Sequence, residues 1–388
     1  MSEYRNEIEK TLASIKEKRY LGYDPYDCLK SPITRKIPGK YPKIALTQLN
    51  VYSPVNLRPL LRIERGINPK GMGLYLSSLV KLYEIVGPEE KQNLKMEMEK
   101  VVNWLLTHSS EGFSGLCWGY NYDWQDLSKL IPEGQPSIVV SSFIGHSLLD
   151  YHELTGDGSI IEKVGSIRDF ILGDINRYED DDGICFSYSP YDNTKVHNAN
   201  LLGASILFRI GRKEDNALRE LALRSYNFSL NKQAADGSWP YSDERGFFGG
   251  QIDFHQGFVL DTLMYLMDDP EGKKIAKEAL DKGLKFYERQ FKNNGASYWR
   301  YPRKWPVDIH HQAQGIITFS KASVLDGRYL KYAKRIAEWT LQNLYDGKGN
   351  FYYQKWPFLT NRITHIRWGQ MWMLLALATL RRAIIEDK

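Results

Sequence analysis

The chain has 388 residues, 42% of them hydrophobic and 13% aromatic, with a formal net charge of +5 at pH 7. The charge is small for this length and the basic residues form no long run, which argues against a nucleic-acid-binding protein. Because no run of about 18 apolar residues occurs and the N-terminus lacks the apolar core of a signal peptide, we expect a cytoplasmic protein without membrane insertion.

Two kinds of predicted helix alternate along the chain. Charged amphipathic helices are predicted for residues 3–19, 89–108, 158–176, 214–232, 271–293 and 328–344. Apolar helices that contain Gly or Ser are predicted for residues 71–86, 137–155, 197–211, 254–267, 309–325 and 366–385. The segment 20–70 has no sustained period, so we predict a long loop there. Its residues 30–70 carry nine Lys or Arg against one acid, which indicates a lid or a basic rim.

A glycine followed by aromatic residues recurs between the helices. The most regular copy is Asp236-Gly-Ser-Trp-Pro-Tyr241, and the other copies contain Gly22, Gly115, Gly183, Gly295 and Gly347. The steps from Gly183 to Gly237, Gly295 and Gly347 are 54, 58 and 52 residues. A period of this size with two helices per unit is typical of helical repeat proteins.

The alternation predicts the fold. A helix that is apolar on most faces is expected to be buried, and one with a polar stripe is expected to lie outside. Six helices of each kind therefore predict an all-α (α/α)6 toroid of six helical hairpins, in one domain spanning residues 1–388. Each aromatic loop would join an outer helix to an inner one, so all six loops would lie on one end of the ring. An open solenoid is the alternative, but it usually needs capping repeats, and both ends here look like ordinary members.

Several short stretches also carry a family resemblance. The repeat around residues 236–241, followed by Phe254-His-Gln-Gly-Phe258, resembles the six-hairpin toroid proteins of polysaccharide metabolism, including an uncharacterised polysaccharide-biosynthesis family. His311-Gln-Ala-Gln-Gly315 and Thr364-His-Ile366 are similar to stretches in the C-terminal domain of glucuronyl C5-epimerases. The resemblance implies a toroid that acts on a polysaccharide.

The starts of the inner helices carry polar residues that a buried helix does not require. These are Asn198, Asn200, Asp253, His255, Gln256, His310, His311, Gln314, His365, Arg367 and Gln370. Helix N-termini carry partial positive charge and favour anions, so the end of the ring where the inner helices begin is expected to suit an acidic ligand. The alternatives are that Asn198 and Asp253 only cap helices and that His310 and His311 are satisfied core residues.

The loop aromatics suit a sugar, whose CH faces lie against aromatic rings while its hydroxyl groups need polar partners. The candidates for substrate binding in the loops are Trp118, Tyr120, Tyr122, Asp123, Trp124, Tyr188, Trp239 and Trp299. Alternatively, the rings plug the end of the toroid. Cys28, Cys117 and Cys185 lack CxxC spacing, so we expect free thiols, no metal site and no cofactor.

Three enzyme classes compete, beside a non-catalytic glycan-binding role. A uronate epimerase or lyase needs an acid and a base at the reacting carbon, together with stabilisation of the carboxylate. A glycosidase needs two carboxylates, for which Asp253 with Asp123 or Glu244 is a candidate pair. An isoprenoid cyclase needs an apolar cavity, and the helix starts are too polar for it.

The epimerase or lyase hypothesis assigns a role to each candidate catalytic residue. Tyr241 and His255 act as acid or base, and Asp253 orients His255 or accepts a sugar hydroxyl. Arg367 with His311 holds the carboxylate, and His310 lies in the same set. Tyr241 ends the most regular loop and Asp253 follows twelve residues later, so the loop and the helix start should converge.

Overall fold

The computed structural model describes residues 3–125, 130–212, 215–244 and 250–387. Residue 214, the first of the helix predicted for 214–232, lies outside the described residues. The inner layer consists of α3 (Pro69–Ile85), α5 (Ile138–Thr155), α8 (His197–Gly211), α10 (His255–Met264), α12 (Ile309–Ala322) and α14 (Trp372–Glu386). The outer layer consists of α1 (Arg5–Glu17), α4 (Pro88–Thr107), α6 (Ile161–Gly165), α7 (Ile167–Gly173), α9 (Asn216–Leu230), α11 (Pro270–Glu288) and α13 (Arg328–Leu344).

The inner helices form a closed ring. Helix α3 packs on α5, α5 on α8, α8 on α10, α10 on α12 and α12 on α14, and α14 packs back on α3. The long loops all run from an outer to an inner helix, and the short turns run from an inner to an outer helix. The predicted (α/α)6 toroid is therefore confirmed, and the solenoid alternative is wrong.

The burial of the two layers follows their sequence patterns. Nearly every side chain of α8 is buried, whereas α13 buries one stripe that includes Tyr329, Ala333 and Ile336. An inner helix contacts its neighbours on all sides, but an outer helix faces water on one side. Apolar side chains of both layers form a continuous hydrophobic core. No helix within the described ranges is long and apolar enough to cross a membrane.

A glycine lets several of the aromatic loops approach an outer helix closely, and in the last loop this is Gly349, since a Cβ at Gly347 would meet no atom within 4 Å. Gly237 has a φ of 93°, and a Cβ there would lie 2.4 Å from the carbonyl oxygen of Lys282 in α11. Gly349 has a φ of 100° and would place a Cβ 2.3 Å from the carbonyl oxygen of Lys10 in α1. Only glycine adopts this conformation without strain and leaves room for the backbone contact. The last loop thus packs on the first helix, which closes the outer layer.

Two predicted elements differ from the structure. The segment 20–70 contains a helix, α2 (Lys40–Tyr52), and two short 3-10 helices, Asp27–Lys30 and Thr34–Lys36, where we expected a loop. Helix α2 buries Thr47, Asn50 and Val51, so its buried face is mostly polar and gives no apolar period. The helix predicted for 158–176 is divided into a 3-10 turn, α6 and α7, with a break at Ser166.

Short strands occur only in the described loops between outer and inner helices. They are β1 (Trp124–Gln125), β2 (Leu130–Ile131), β3 (Arg177–Asp180), β4 (Gly183–Phe186), β5 (Val307–Asp308), β6 (Gln354–Lys355) and β7 (Thr360–Asn361). β1 pairs with β2 and β3 with β4, while β5, β6 and β7 form one antiparallel sheet in that order. These strands stiffen the loop end of the ring, where the inner helices begin.

Candidate functional site

Asp253 and His255 form a hydrogen-bonded pair at the start of α10. The Nδ1–H of His255 donates to Asp253 Oδ1 at 2.6 Å, and the backbone N–H of His255 donates to the same oxygen at 3.1 Å. Burial would raise the pKa of Asp253, but the charge of His255 and its hydrogen bonds outweigh burial and lower this pKa. With Nδ1 occupied, the neutral imidazole carries its lone pair on Nε2, which no described residue bonds.

The imidazole of His255 is partly open to solvent, with 20% of the side chain exposed. The half-buried ring of Tyr241 lies edge-on to it, with 4.9 Å between the ring centres. Loop and helix start therefore meet as the sequence predicted. The ring of Phe254 also packs against the imidazole, with 4.1 Å between the ring centres. Carboxylate, imidazole and phenol thus form one group at the loop end of the toroid.

His310, in the first turn of α12, lies deeper in the ring. Its imidazole is 1% exposed and packs against Phe254, Trp368 and Trp372, with centres 4.2, 4.3 and 4.6 Å away. Neither ring nitrogen has a hydrogen-bond partner. Burial, followed by the charge of Lys70, holds the pKa of His310 well below its usual range. A buried polar group without a partner is rare in a native structure and calls for a reason.

Lys70, which the sequence analysis assigned only to the basic loop, lies beside the same Trp372 ring as His310. It is the second residue of α3, whose start follows from Asn68, which caps the helix, and Pro69 in its first turn. The side chain is 3% exposed, and Nζ lies 4.0 Å from the centre of the Phe143 ring. Burial and then the charge of Arg367 lower the pKa of Lys70 well below its usual value. The Asn68-Pro69 pair was the signal in the sequence that α3 begins here, with Lys70 in its first turn.

Arg367 is held by a carboxylate from a distant part of the chain. Its Nε and Nη2 donate to Oδ2 and Oδ1 of Asp24 at 2.7 and 2.8 Å, and the hydroxyl of Tyr122 donates to Oδ1 at 2.9 Å. Burial works against the guanidinium charge, but Asp24 outweighs it and raises the pKa of Arg367. Tyr120 stacks on Tyr122 at 5.4 Å. The guanidinium that we expected to hold a substrate carboxylate therefore already binds one.

Three of the predicted substrate-binding amides hold the loops instead of pointing into open space. Gln256 accepts from the N–H of Trp239 at 2.9 Å and donates to its carbonyl at 2.6 Å. Gln370 makes the same two bonds to Phe351, at 3.0 and 2.9 Å. Asn200 accepts from the N–H of the corresponding loop residue in β4, at 2.8 Å. The first turns of α8 and α10, and the turn that leads into α14, thus each hold the aromatic loop before them.

The loop aromatics divide into buried and open rings. Trp118 and Trp239 are 1% exposed, and each indole N–H donates to a carbonyl of the preceding outer helix at 2.9 Å. These two rings pack as the plug alternative describes. The rings of Tyr120, Tyr188, Trp124 and Trp299 are partly exposed. Trp124 lies 6.3 Å from Tyr188, so these two rings line one side of the loop end together.

The four remaining predicted residues, His311, Gln314, Asn198 and His365, do not form one group. His311 is buried and lacks a partner on both ring nitrogens, and burial lowers its pKa to about 4. Gln314 donates to Asp261 at 3.2 Å. Asn198 and His365 are buried, each with one unpartnered polar atom.

The carboxylates near the loop end are largely occupied. Asp123 pairs with Arg35 at 3.0 Å, and Glu244 is exposed. Asp308, which the sequence analysis missed, is buried at the start of α12 and accepts from Trp368 Nε1 at 2.8 Å and Gln354 Nε2 at 2.9 Å. Burial raises the pKa of Asp308 to about 6, against these hydrogen bonds. The site therefore exposes the imidazole of His255 to solvent, whereas the carboxylates Asp123 and Asp308 are engaged by other side chains.

The chain matches no protein-family profile and no curated protein sequence. Its fold is similar to several solved structures. A GH76 α-mannanase from Bacteroides thetaiotaomicron aligns with a TM-score of 0.66 at 14% identity, over 99% of this chain and 96% of that one. A cellobiose 2-epimerase from Bacillus thermoamylovorans aligns with a TM-score of 0.60 at 12% identity, over 84% and 90%. An unsaturated glucuronyl hydrolase specific for heparin aligns with a TM-score of 0.61 at 15% identity, over 84% of this chain and 89% of that one. Likeness at these identities shows the shared fold.

Proposed function

We propose that this chain is a carbohydrate-active enzyme that moves a proton at a carbon of a uronate-containing saccharide, as an epimerase or a lyase. The Asp253–His255 pair carries the proposal. A carboxylate that fixes the tautomer of a partly exposed imidazole is the arrangement of an oriented general base. The structures with the same fold include proteins described as a mannanase, a cellobiose 2-epimerase and a glucuronyl hydrolase, which supports a saccharide substrate.

In the proposed reaction, Nε2 of His255 takes the proton from the carbon next to the uronate carboxylate. The C–H bond breaks, and its electron pair moves into the carboxylate, which becomes enolate-like. An epimerase then returns a proton to the opposite face of that carbon, a role that the proposal assigns to Tyr241. A lyase instead breaks the bond between the neighbouring carbon and its glycosidic oxygen, the oxygen takes up a proton as it leaves, and a C=C bond forms between the two carbons. Helix N-termini stabilise the added negative charge.

The test uses oligomers of β-1,4-linked glucuronate in deuterium oxide, followed by NMR. Deuterium at C5 without ultraviolet absorbance of an unsaturated product identifies an epimerase, and appearance of that absorbance identifies a lyase. We expect His255→Ala to slow either reaction by about 100-fold or more, because general acid–base groups contribute factors of that size. Tyr241→Phe should slow the return of the proton.

The control is His108→Ala, which removes an exposed imidazole stacked on Trp104 at the end of α4. It should leave the rate unchanged. New reducing ends without exchange or absorbance would identify a hydrolase and contradict the proposal. Exchange that proceeds equally well in His255→Ala would show that the base lies elsewhere.

A further inference from the structure

Lys70 is a buried amine without an ion-pair partner among the described residues. Its Nζ lies over three aromatic rings, at 4.0 Å from the centre of Phe143, 5.3 Å from Phe258 and 5.5 Å from Trp372. Within the described residues it makes no hydrogen bond and no ion pair. Cation–π contacts return only part of the hydration that a buried ammonium loses. Its place in the first turn of α3 is also unfavourable, because a helix N-terminus repels a cation.

The charges around Lys70 do not offset it. The carboxylate of Asp24 is close enough to influence its pKa, but both oxygens of Asp24 already accept from Arg367 and one also accepts from Tyr122. Arg367 adds a second positive charge, which Asp24 balances. Among the described residues, Lys70 is therefore left without an ion-pair partner.

His310 is a second unpartnered group beside the same rings. Its imidazole centre lies 4.6 Å from the centre of Trp372 and 5.8 Å from that of Phe258, the two rings over which Lys70 also sits. Both of its nitrogens lack partners, and it is 1% exposed. Two buried polar side chains, from α3 and α12, thus face the same aromatic cluster with their hydrogen-bonding capacity unused.

We infer that Lys70 and His310 bind the carboxylate of the substrate and so make the site selective for uronates over neutral sugars. This inference rests on the proposed function and names the groups that give it its substrate class. A carboxylate has two acceptor oxygens, one for the ammonium and one for an imidazole N–H. It supplies the missing counter-ion, and its negative charge suits the N-termini of α3 and α12.

The test compares a trimer of β-1,4-linked glucuronate with cellotriose, which differs only in carrying hydroxymethyl groups instead of carboxylates. We expect calorimetry to show tighter binding of the uronate by the unmodified protein, weakening with salt. Lys70→Met should lower the uronate preference by about tenfold or more, which is typical of a lost hydrogen bond to a charged group. Lys70→Arg, which keeps the charge, should retain part of the preference.

Two further variants keep the inference separable from the proposed function. Lys321→Met removes another lysine of the inner layer, one paired with Asp261 at 2.9 Å at the far end of α12, and should leave the preference unchanged. His255→Ala should abolish proton exchange and still bind the uronate more tightly than cellotriose. If His255→Ala loses exchange while Lys70→Met keeps the full uronate preference, the proposed function is upheld and this inference is overturned.

Urea unfolding of the variants shows whether Lys70 serves only to stabilise the fold. Because a methionine fills the aromatic cluster without an unpaired charge, Lys70→Met should be as stable to urea as the unmodified protein, or more stable. His310→Phe, also apolar, should weaken uronate binding and leave cellotriose binding unchanged. Equal binding of both trisaccharides by the unmodified protein, or a Lys70→Met chain that keeps the full preference, would overturn the inference.

Discussion

The buried pair of Asp24 and Arg367 joins two segments 343 residues apart in the chain. Asp24 lies in the segment after α1, and Arg367 lies in the π-helical turn Ile366–Met371 that leads into α14. Their side chains are 5% and 2% exposed. The substitution Asp24→Asn keeps the shape and removes the charge, so Arg367 stays buried without a counter-ion. Removing one partner of a buried pair costs about 3–5 kcal/mol, a large part of the stability of a typical domain.

The double variant Asp24→Asn/Arg367→Met shows whether this cost comes from the stranded charge. Replacing a whole buried pair by uncharged groups is often close to neutral. We therefore expect the double variant to be more stable than the sum of the two single changes by about 2 kcal/mol or more. The measurement is urea unfolding at pH 7, with the slope compared among variants to confirm the same unfolding reaction. Strict additivity, or a loss below about 1 kcal/mol in Asp24→Asn, would refute the reasoning.

The same variants compare Arg367 with Lys70 as the group that binds a substrate carboxylate. If Arg367 serves only as the partner of Asp24, Arg367→Met should lower stability and leave the preference for the glucuronate trimer over cellotriose. If Arg367 holds the substrate, as the sequence analysis predicted, Arg367→Met should remove the preference and Lys70→Met should not. Calorimetry on the folded variants decides between the two.

Three further predictions concern the loops and the start of α12. Gly237→Ala should cost about 2 kcal/mol or more in urea unfolding, because its φ of 93° strains any other residue and the added Cβ meets a carbonyl oxygen. A loss below 0.5 kcal/mol, roughly the ordinary cost of a surface change, would contradict this. Gln256→Leu should cost about 2–4 kcal/mol, because it leaves the N–H and carbonyl of Trp239 unpaired, and uronate selectivity should persist in the folded fraction. Asp308 stabilises the fold most when protonated, so its contribution is complete below pH 3.8 and is lost as the pH rises through about 6. The pKa change corresponds to about 3 kcal/mol, so the unfolding free energy of the unmodified protein should fall by about that amount relative to Asp308→Asn between low and neutral pH. A relative rise over the same pH range would contradict the prediction.

The helices and the ring were predictable because their signals are local. The apolar helix predicted for 197–211 is the observed α8, with the same bounds. The 3.6-residue period arises from the chain's own geometry, and four of the repeated glycines, Gly183, Gly237, Gly295 and Gly347, have a positive φ that other residues avoid. Helix α2 was missed because the face it buries carries Thr47 and Asn50, which leave no apolar period.

The group of Tyr241, Asp253 and His255 was predictable for a similar reason. All three lie within a single loop and the helix start that follows it, and the direction of the repeat brings those two together. Their roles in a reaction stay predictions. The roles of Asn200, Gln256 and Gln370 were harder to predict, because a polar residue in the first turn suits a ligand and a loop clamp equally well. Only the position of the preceding loop distinguishes the two.

The sequence by itself therefore determined the architecture of this protein and the end of the ring where polar side chains gather. The tertiary structure decided which of those side chains are already occupied. Arg367 is occupied because Asp24 arrives from the opposite end of the chain, whereas Lys70 has no such partner among the described residues. Helical period and glycine conformation depend on neighbours in the sequence, but the pairing of a buried charge depends on which distant segment packs against it. For that reason the sequence placed Lys70 in a basic loop, and only the fold shows it among aromatic rings without an ion-pair partner in the described residues.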